Sequence, residues 1–379
     1  MSNRVRLLVW APAVALALAA PFSLTSFWLQ TGLFAMAAAI GAIGLTLLVG
    51  VTGQLSLGHA FFVALGAYGY GFLAGSGDGR VGGAGLPAPL AVAGAVALAG
   101  AAGALFSPIA GRLRGIYLGL ASLGLVFLGQ HILHNAPAVT GGFNGRDVEP
   151  FELFGFSFTS TDPDLVLFRV PFGALERLWY LGLGLLALAS WYARNLLAGR
   201  PGRALVGVRD SEVAAAVMGV DVRRYKAAAF TVAGAYAGLA GVLLALAFGR
   251  IVPDSFGFAM SIDFLAMIII GGLGSIAGGV AGAVLVTALP LVLSHYSGAI
   301  GFLAEPGEAG VGAAEAARLL YGAAVVAVLL FARGGLAQLM STARKRFAPS
   351  GHPNSRIKEP SHETNSASGE RPVPGADRV

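Results

Sequence analysis

The segment Gly199–Lys226 reads GRPGRALVGVRDSEVAAAVMGVDVRRYK, the longest polar, basic stretch between two apolar runs. Counted with Arg194, it carries seven Lys and Arg against three acids, Asp210, Glu212 and Asp221. A candidate short helix lies inside it. Asp210 or Ser211 can cap its start, Glu212 falls in the first turn, Val213 to Met218 are mostly good helix formers, and Gly219 can stop it. A helix of about eight residues is about 12 Å long and marginal alone in water. It therefore needs a surface to pack on, and its row of alanines suits a close-fitting one.

The composition explains why such a segment stands out. Of 379 residues, 56% are hydrophobic and only 12% charged, with a mean hydropathy of +0.75. An ordinary soluble domain carries about 25% charged residues, so lipid must cover much of this chain. The 56 glycines then point to close helix packing and broken helices. Cysteine is absent, which removes disulfides, thiolate nucleophiles and Cys-ligated metals. The net charge of +6 does not imply nucleic acid, because the excess sits in a few short loops and the tail, as the positive-inside rule would place it.

Outward from that segment the chain divides into apolar runs. A basic start precedes the run 7–22, whose closing alanines resemble a signal-peptide end; an uncleaved first span fits the rest of the chain better. Further spans are expected near 31–50, 54–74, 87–109, 115–134, 178–197, 227–248, 259–273, 276–295 and 317–332. The run 259–273 falls short of the roughly 20 residues a straight span needs and reads as a half-helix or re-entrant piece. The expected fold is an all-α polytopic transmembrane bundle of nine or ten spans with broken or re-entrant helices. Residues 1–342 form the membrane domain and 343–379, rich in Pro, Ser, Gly and charge, a disordered cytoplasmic tail. Basic residues at Arg4, Arg6, Arg112, Arg114, 194–226, Arg333 and 344–346 orient their loops inward. The acidic loop 135–177 faces outward. Ten crossings satisfy these assignments and put both termini inside.

Two glycine-rich stretches interrupt the apolar runs: GVTGQLSLGH at 50–59 and GGLGSIAGG at 271–279. Each is a candidate break, and broken helices in transporters often lie near the substrate path. Gln54, Ser56, His59, Gly272, Gly274 and Ser275 are the path candidates; helix packing and interhelical hydrogen bonding are the plainer reading of the same residues. Asp263 joins them as an ionisable residue in or near a span, with an interfacial position as its alternative. His131, His134 and Asn135 do not read as a metal site, because the sequence places no carboxylate or further His beside them. No GxxxxGK[ST], GxSxG or HExxH occurs. No catalytic residues, cofactor or metal are expected, and ATP hydrolysis by this chain is excluded as far as a P-loop is concerned.

Five stretches together resemble the M-type permease subunits of ABC importers for branched-chain amino acids. They are GLTLLVGVTGQLSLGHAFFVALGAY (44–68), RLRGIYLGLASLGLVFLGQ (112–130), TGGFNG (140–145), GRALVGVRDSEVAAAVMGVDVRRYKAAAFTVAGAYAGLAGVL (202–243) and FLAMIIIGGLGSIAGGVAGA (264–283). The chain departs from the family at Thr46, at Phe143-Asn144, at 332–335 and in the insert-like segment 298–317. The resemblance implies that Glu212, Ala214, Ala215 and Gly219 form an EAA-type loop that docks on an ATPase subunit. Arg209, Arg223 and Arg224 would then border the ATPase or anionic lipid, and Asp210 belongs to the same ATPase-coupling segment. It also implies a bacterial inner-membrane location and, as partners, a homologous second permease, two ABC ATPases and an external solute-binding protein. Similar permeases for urea, amides or aromatic acids keep the solute open. An ion-coupled carrier built on Asp263 and a membrane enzyme built on His131 and His134 are the rival classes.

Overall fold

The computed structural model of the chain describes residues 15–77, 81–113, 115–159, 165–167, 170–297, 312–331 and 334–338. The expected tail, the first half of the run 7–22 and most of the segment 298–317 lie outside the described residues. A helical stretch at 15–23 precedes eleven helices. These are α1 (Ser26–Leu45, continued by a π-helical turn Thr46–Val51), α2 (His59–Ala74), α3 (Ala88–Arg112), α4 (Ile116–Asn135), α5 (Ala174–Ala198), α6 (Arg200–Asp210), α7 (Glu212–Val217), α8 (Val222–Phe248), α9 (Phe258–Gly271), α10 (Ile276–His295) and α11 (Ala313–Phe331). One-turn helical pieces are left without labels.

Among the described residues six helices are long and apolar enough to cross a membrane: α1 with its π turn, α3, α4, α5, α8 and α10. Two more, α2 and α9, are apolar but shorter. The 14 residues of α9 span about 21 Å, less than a hydrocarbon core of about 30 Å, as its short run predicts. The span expected from residue 54 begins only at His59, because residues 54–58 are not helical. The fold is an all-α polytopic bundle. Its described sheet consists of three two-stranded pairs, all involving the acidic loop.

Helix α8 is the axis of the bundle and packs on α1, α2 and α3. Its face is small: Ala233, Ala237, Ala240, Gly241 and Ala245 are buried. Lipid supplies no hydrophobic drive for helices to associate, so close backbone approach over small residues must hold them. Tyr236 on the same helix donates its hydroxyl to Ala189 O of α5 at 2.7 Å.

Contacts sort the connections into two faces. On one, residues 75–77 and 81 share a cleft with 137, 141, 144–147 and Arg250. There Arg146–Asp147 pairs antiparallel with Arg250–Ile251. Arg146, 5% exposed, donates to Val139 O at 2.6 Å. His134 Nε2 lies 3.2 Å from the carboxylate of Asp254, a partner the sequence could not place beside it. On the opposite face the break after α1, the α3–α4 turn and the α6–α7 segment line another cleft. The helices between the faces therefore alternate in direction.

Candidate functional site: a clamped short helix beside two glycine breaks

The basic segment folds as two helices, where the sequence suggests one. Helix α6 starts with Pro201 in its first turn, where proline loses no intrahelical bond. Gly202, Leu205 and Val208 form its buried stripe. Helix α7 is six residues long, shorter than the eight expected, but its ends are as read. Ser211 Oγ accepts from Ala214 N at 3.2 Å. At the other end Val220 N bonds Ala215 O and Gly219 N bonds Ala216 O, both at 3.0 Å. This is a Schellman closure with Gly219 at φ +83°.

Helix α7 is clamped from the inside. Glu212 Oε1 lies 2.6 Å from Lys226 Nζ, and Lys226, in the first turns of α8, is 4% exposed. Ala215 is buried beneath it, whereas Ala214 is exposed. The outward side is apolar: Val213, Val217 and Met218 are 73%, 84% and 77% exposed. Arg223 and Arg224 are exposed, Arg224 pairing with Asp221 at 3.0 Å. Asp210 is exposed and lies 3.3 Å from Arg209 Nε. Arg209 does not simply face outward. Its Nη1 donates to Gly50 O at 2.9 Å.

The two glycine breaks meet. A Cβ on Gly50 would lie 2.4 Å from Gly274 N, so the two backbones touch. Gly272 and Gly274 have φ of +105° and +85°, a region that favours glycine. A Cβ on Gly272 would come 2.4 Å from Gly334 O, which brings the segment after α11 to the same seam. Ser275 caps α10, accepting from Gly278 N at 3.1 Å.

Gln54, Ser56 and His59 are all buried. Gln54 Nε2 donates to Thr52 Oγ1 at 2.9 Å, and the His59 ring meets Phe264 edge-on at 4.7 Å. Gln54 Oε1 and His59 Nε2 are buried with no hydrogen-bond partner among the described residues. Two serines inside apolar helices satisfy the broken backbone. Ser122 Oγ of α4 accepts from Leu57 N at 2.8 Å, and Ser261 Oγ of α9 accepts from Ala60 N at 3.0 Å. Sequence reading missed both; the available signal was a lone hydroxyl within an apolar run.

Asp263 stands apart. It lies nine positions before Gly272 along α9, about 13 Å from the seam, and accepts from the Tyr321 hydroxyl of α11. The contact joins α9 to α11. Asp263→Asn is expected to retain at least about half of wild-type uptake, since an amide oxygen still accepts from Tyr321 and one such bond is worth only about 1 kcal/mol. Uptake assays at matched membrane abundance check this, and complete loss would return Asp263 to the path.

The described residues form a polytopic helical bundle with glycine-broken spans and a capped short helix on one face. The chain belongs to the family described as "Branched-chain amino acid transport system / permease component", whose profile matches residues 28–329. It is 35% identical over 290 residues to the high-affinity branched-chain amino acid transport system permease protein LivM of Escherichia coli (strain K12), covering 74% of this chain and 65% of that protein. The LivM protein of Salmonella typhimurium is 34% identical over the same length. The ribose import permease protein RbsC of Escherichia coli (strain K12) is 28% identical over 244 residues, covering 64% of this chain and 67% of that relative. The match thus spans just under two thirds of the LivM proteins. No solved structure matches the chain.

Proposed function

We propose that this chain is the transmembrane permease subunit of an ABC importer for branched-chain amino acids. It works with a homologous second permease, two ATPase subunits and an external solute-binding protein. The solute class rests on the family and on the likeness to the LivM proteins. The observation that carries the coupling is the exposed apolar ridge Val213–Val217–Met218. It sits on a helix fixed to the bundle by Glu212–Lys226. Val213 and Val217 are four residues apart and share one helix face. A short helix laying such a ridge into an apolar groove is a common recognition mode. Arg112 ends α3, Arg200 and Arg203 lie in α6, and Arg223 and Arg224 open α8 on this face, whereas Asp147 and Glu149 line the cleft of the other face. By the positive-inside rule the ridge side is cytoplasmic, the protein sits in the inner membrane, and both termini lie inside.

ATP hydrolysis belongs to the partners. ATP-driven closure of the ATPase pair would displace α7 and, through it, the seam of breaks, a two-state rigid-body change. A mild-detergent pull-down of the tagged chain should recover a second permease and P-loop ATPases. Val217→Asp should cut that recovery by about tenfold or more, because a carboxylate would have to be desolvated in the groove. Undiminished ATPase recovery with Val217→Asp would remove α7 from the interface. Uptake that survives ATP depletion and dies with the ion gradient would replace the importer by a carrier.

A further inference from the structure

Helix α1 ends in a π turn, Thr46–Val51, and carbonyls at a helix C-terminus lack intrahelical donors. Arg209 supplies one. Its Nη1 donates to Gly50 O at 2.9 Å, across 159 positions of sequence. Its stem lies on Gly53, where a Cβ would come 2.9 Å from Arg209 Cγ and where φ is +71°. The guanidinium is also oriented from behind, with Nε 3.3 Å from Asp210 Oδ1. Arg209 is the penultimate residue of α6, and Ser211, the cap of α7, follows two positions later.

The other side of Gly50 is equally confined. A Cβ there would come 2.4 Å from Gly274 N and 2.9 Å from Gly274 Cα. The second break continues the contact: a Cβ on Gly335 would come 2.6 Å from Gly272 N. Arg209, Gly50, Gly274, Gly272 and Gly335 therefore form one unbroken line of contact from the start of α7 to the ends of α1, α9 and the segment after α11. Lys226 ties α7 to the axis helix α8.

We propose that Arg209 is a positioning residue, a strut that carries displacement of α7 onto the seam where the Gly50 and Gly274 breaks meet. A guanidinium is suited to the task, since its fixed fork can bond a carbonyl and a carboxylate at once. The strut rests on the reading of α7 as the ATPase-docking helix. It adds that a bond distinct from the docking ridge transmits the stroke.

The test uses the assembled importer, reconstituted in liposomes with its ATPases and solute-loaded binding protein, and reads solute moved per ATP hydrolysed. Arg209→Ala is expected to keep wild-type ATPase stoichiometry and basal hydrolysis while solute per ATP falls by about tenfold or more, the scale of one charge-assisted hydrogen bond. Arg209→Lys, which keeps a cationic donor, should recover part of the ratio. A purely structural role would lower the abundance or melting temperature of the permease and leave the ratio of the surviving complexes unchanged. Arg209→Gln keeps most of the stem over Gly53 and is read in the same way where the alanine variant accumulates poorly. An unchanged ratio in Arg209→Ala and Arg209→Gln overturns the strut. Loss of the ATPase from either variant at normal abundance also overturns it, making Arg209 a docking contact. Absence of any ATPase from the wild-type complex instead overturns the docking reading itself.

Discussion

Glu212→Lys is expected to insert at wild-type abundance yet lose ATPase recovery and solute uptake by more than about tenfold. Glu212 has two local roles that the reversal destroys together. In the first turn of α7 its carboxylate complements the helix N-terminus, worth about 0.3–1 kcal/mol. Its Oε1 also lies 2.6 Å from Lys226 Nζ. Lys226 is 4% exposed but the Glu212 side chain is 26% exposed, so removing one partner costs less than the roughly 3–5 kcal/mol of a fully buried pair. The new lysine then adds repulsion. Against this, the Ser211 cap contributes about 1 kcal/mol, and a six-residue helix has little stability of its own. The reversal therefore outweighs what orders α7, and the Val213–Val217–Met218 ridge leaves its place. Hydrogen exchange across residues 211–220 should accelerate in the variant, alongside the pull-down. The double variant Glu212→Lys with Lys226→Glu separates two causes. If the carboxylate acts by holding α7 on α8, the swap restores docking in part. If it acts by touching the ATPase directly, the swap does not. Normal exchange and normal ATP-driven uptake in the single variant would sink the clamp.

The difference between what this sequence discloses and what it hides is largely one of sequence separation. The ends of α7 are legible because Ser211 and Gly219 act within a few residues of themselves. The two breaks are legible because glycine-rich interruptions in apolar runs are local events. Helix α6 was missed for a local reason. Pro201 and Gly202 are poor formers of a helix interior, but proline in a first turn loses no bond, and Gly202 is needed where a Cβ would come 2.3 Å from Leu197 O. Long-range placements gave no signal. Arg209 reads as one more surface cation in a basic segment, and only the fold brings it to Gly50. Ser122 and Ser261 look like isolated hydroxyls until Leu57 and Ala60 need acceptors. The acidic loop reads as external, but nothing in it announces that Arg146–Asp147 pairs with the residues after α8. Nothing local to Asp263 announces that its carboxylate meets Tyr321 of α11.

The largest structural effect is expected at the crossing of α2 and α8. Gly66→Leu should sharply reduce accumulation of the chain and lower the melting temperature of whatever accumulates. A Cβ on Gly66 would lie 2.1 Å from Gly238 O and 2.4 Å from Gly238 Cα. One turn away the crossing is as tight in the other direction, where a Cβ on Gly241 would lie 2.0 Å from Val63 O. The obstructing atoms are backbone, so no side chain can swing aside and the helices themselves must part. Overpacking a core typically costs about 1–3 kcal/mol even where side chains can adjust; a backbone clash lies at or beyond the top of that range. Separation also removes the contact that holds the pair, because dispersion falls steeply with distance and lipid offers no hydrophobic compensation. Gly184→Leu is the matched control: it lies in α5 with nothing among the described residues within 4 Å of an added Cβ and should leave accumulation and melting unchanged. Equal melting temperatures for the two variants would mean that α2 and α8 do not pack this closely. The position also bears on transport. Helix α8 starts beside Lys226, the anchor of α7, and α2 starts at His59, directly after the first break. On the proposed coupling, forcing the two apart at Gly66 would separate the anchor of α7 from the seam, so any Gly66→Leu protein that does reach the membrane should bind ATPase poorly and transport less than its abundance allows.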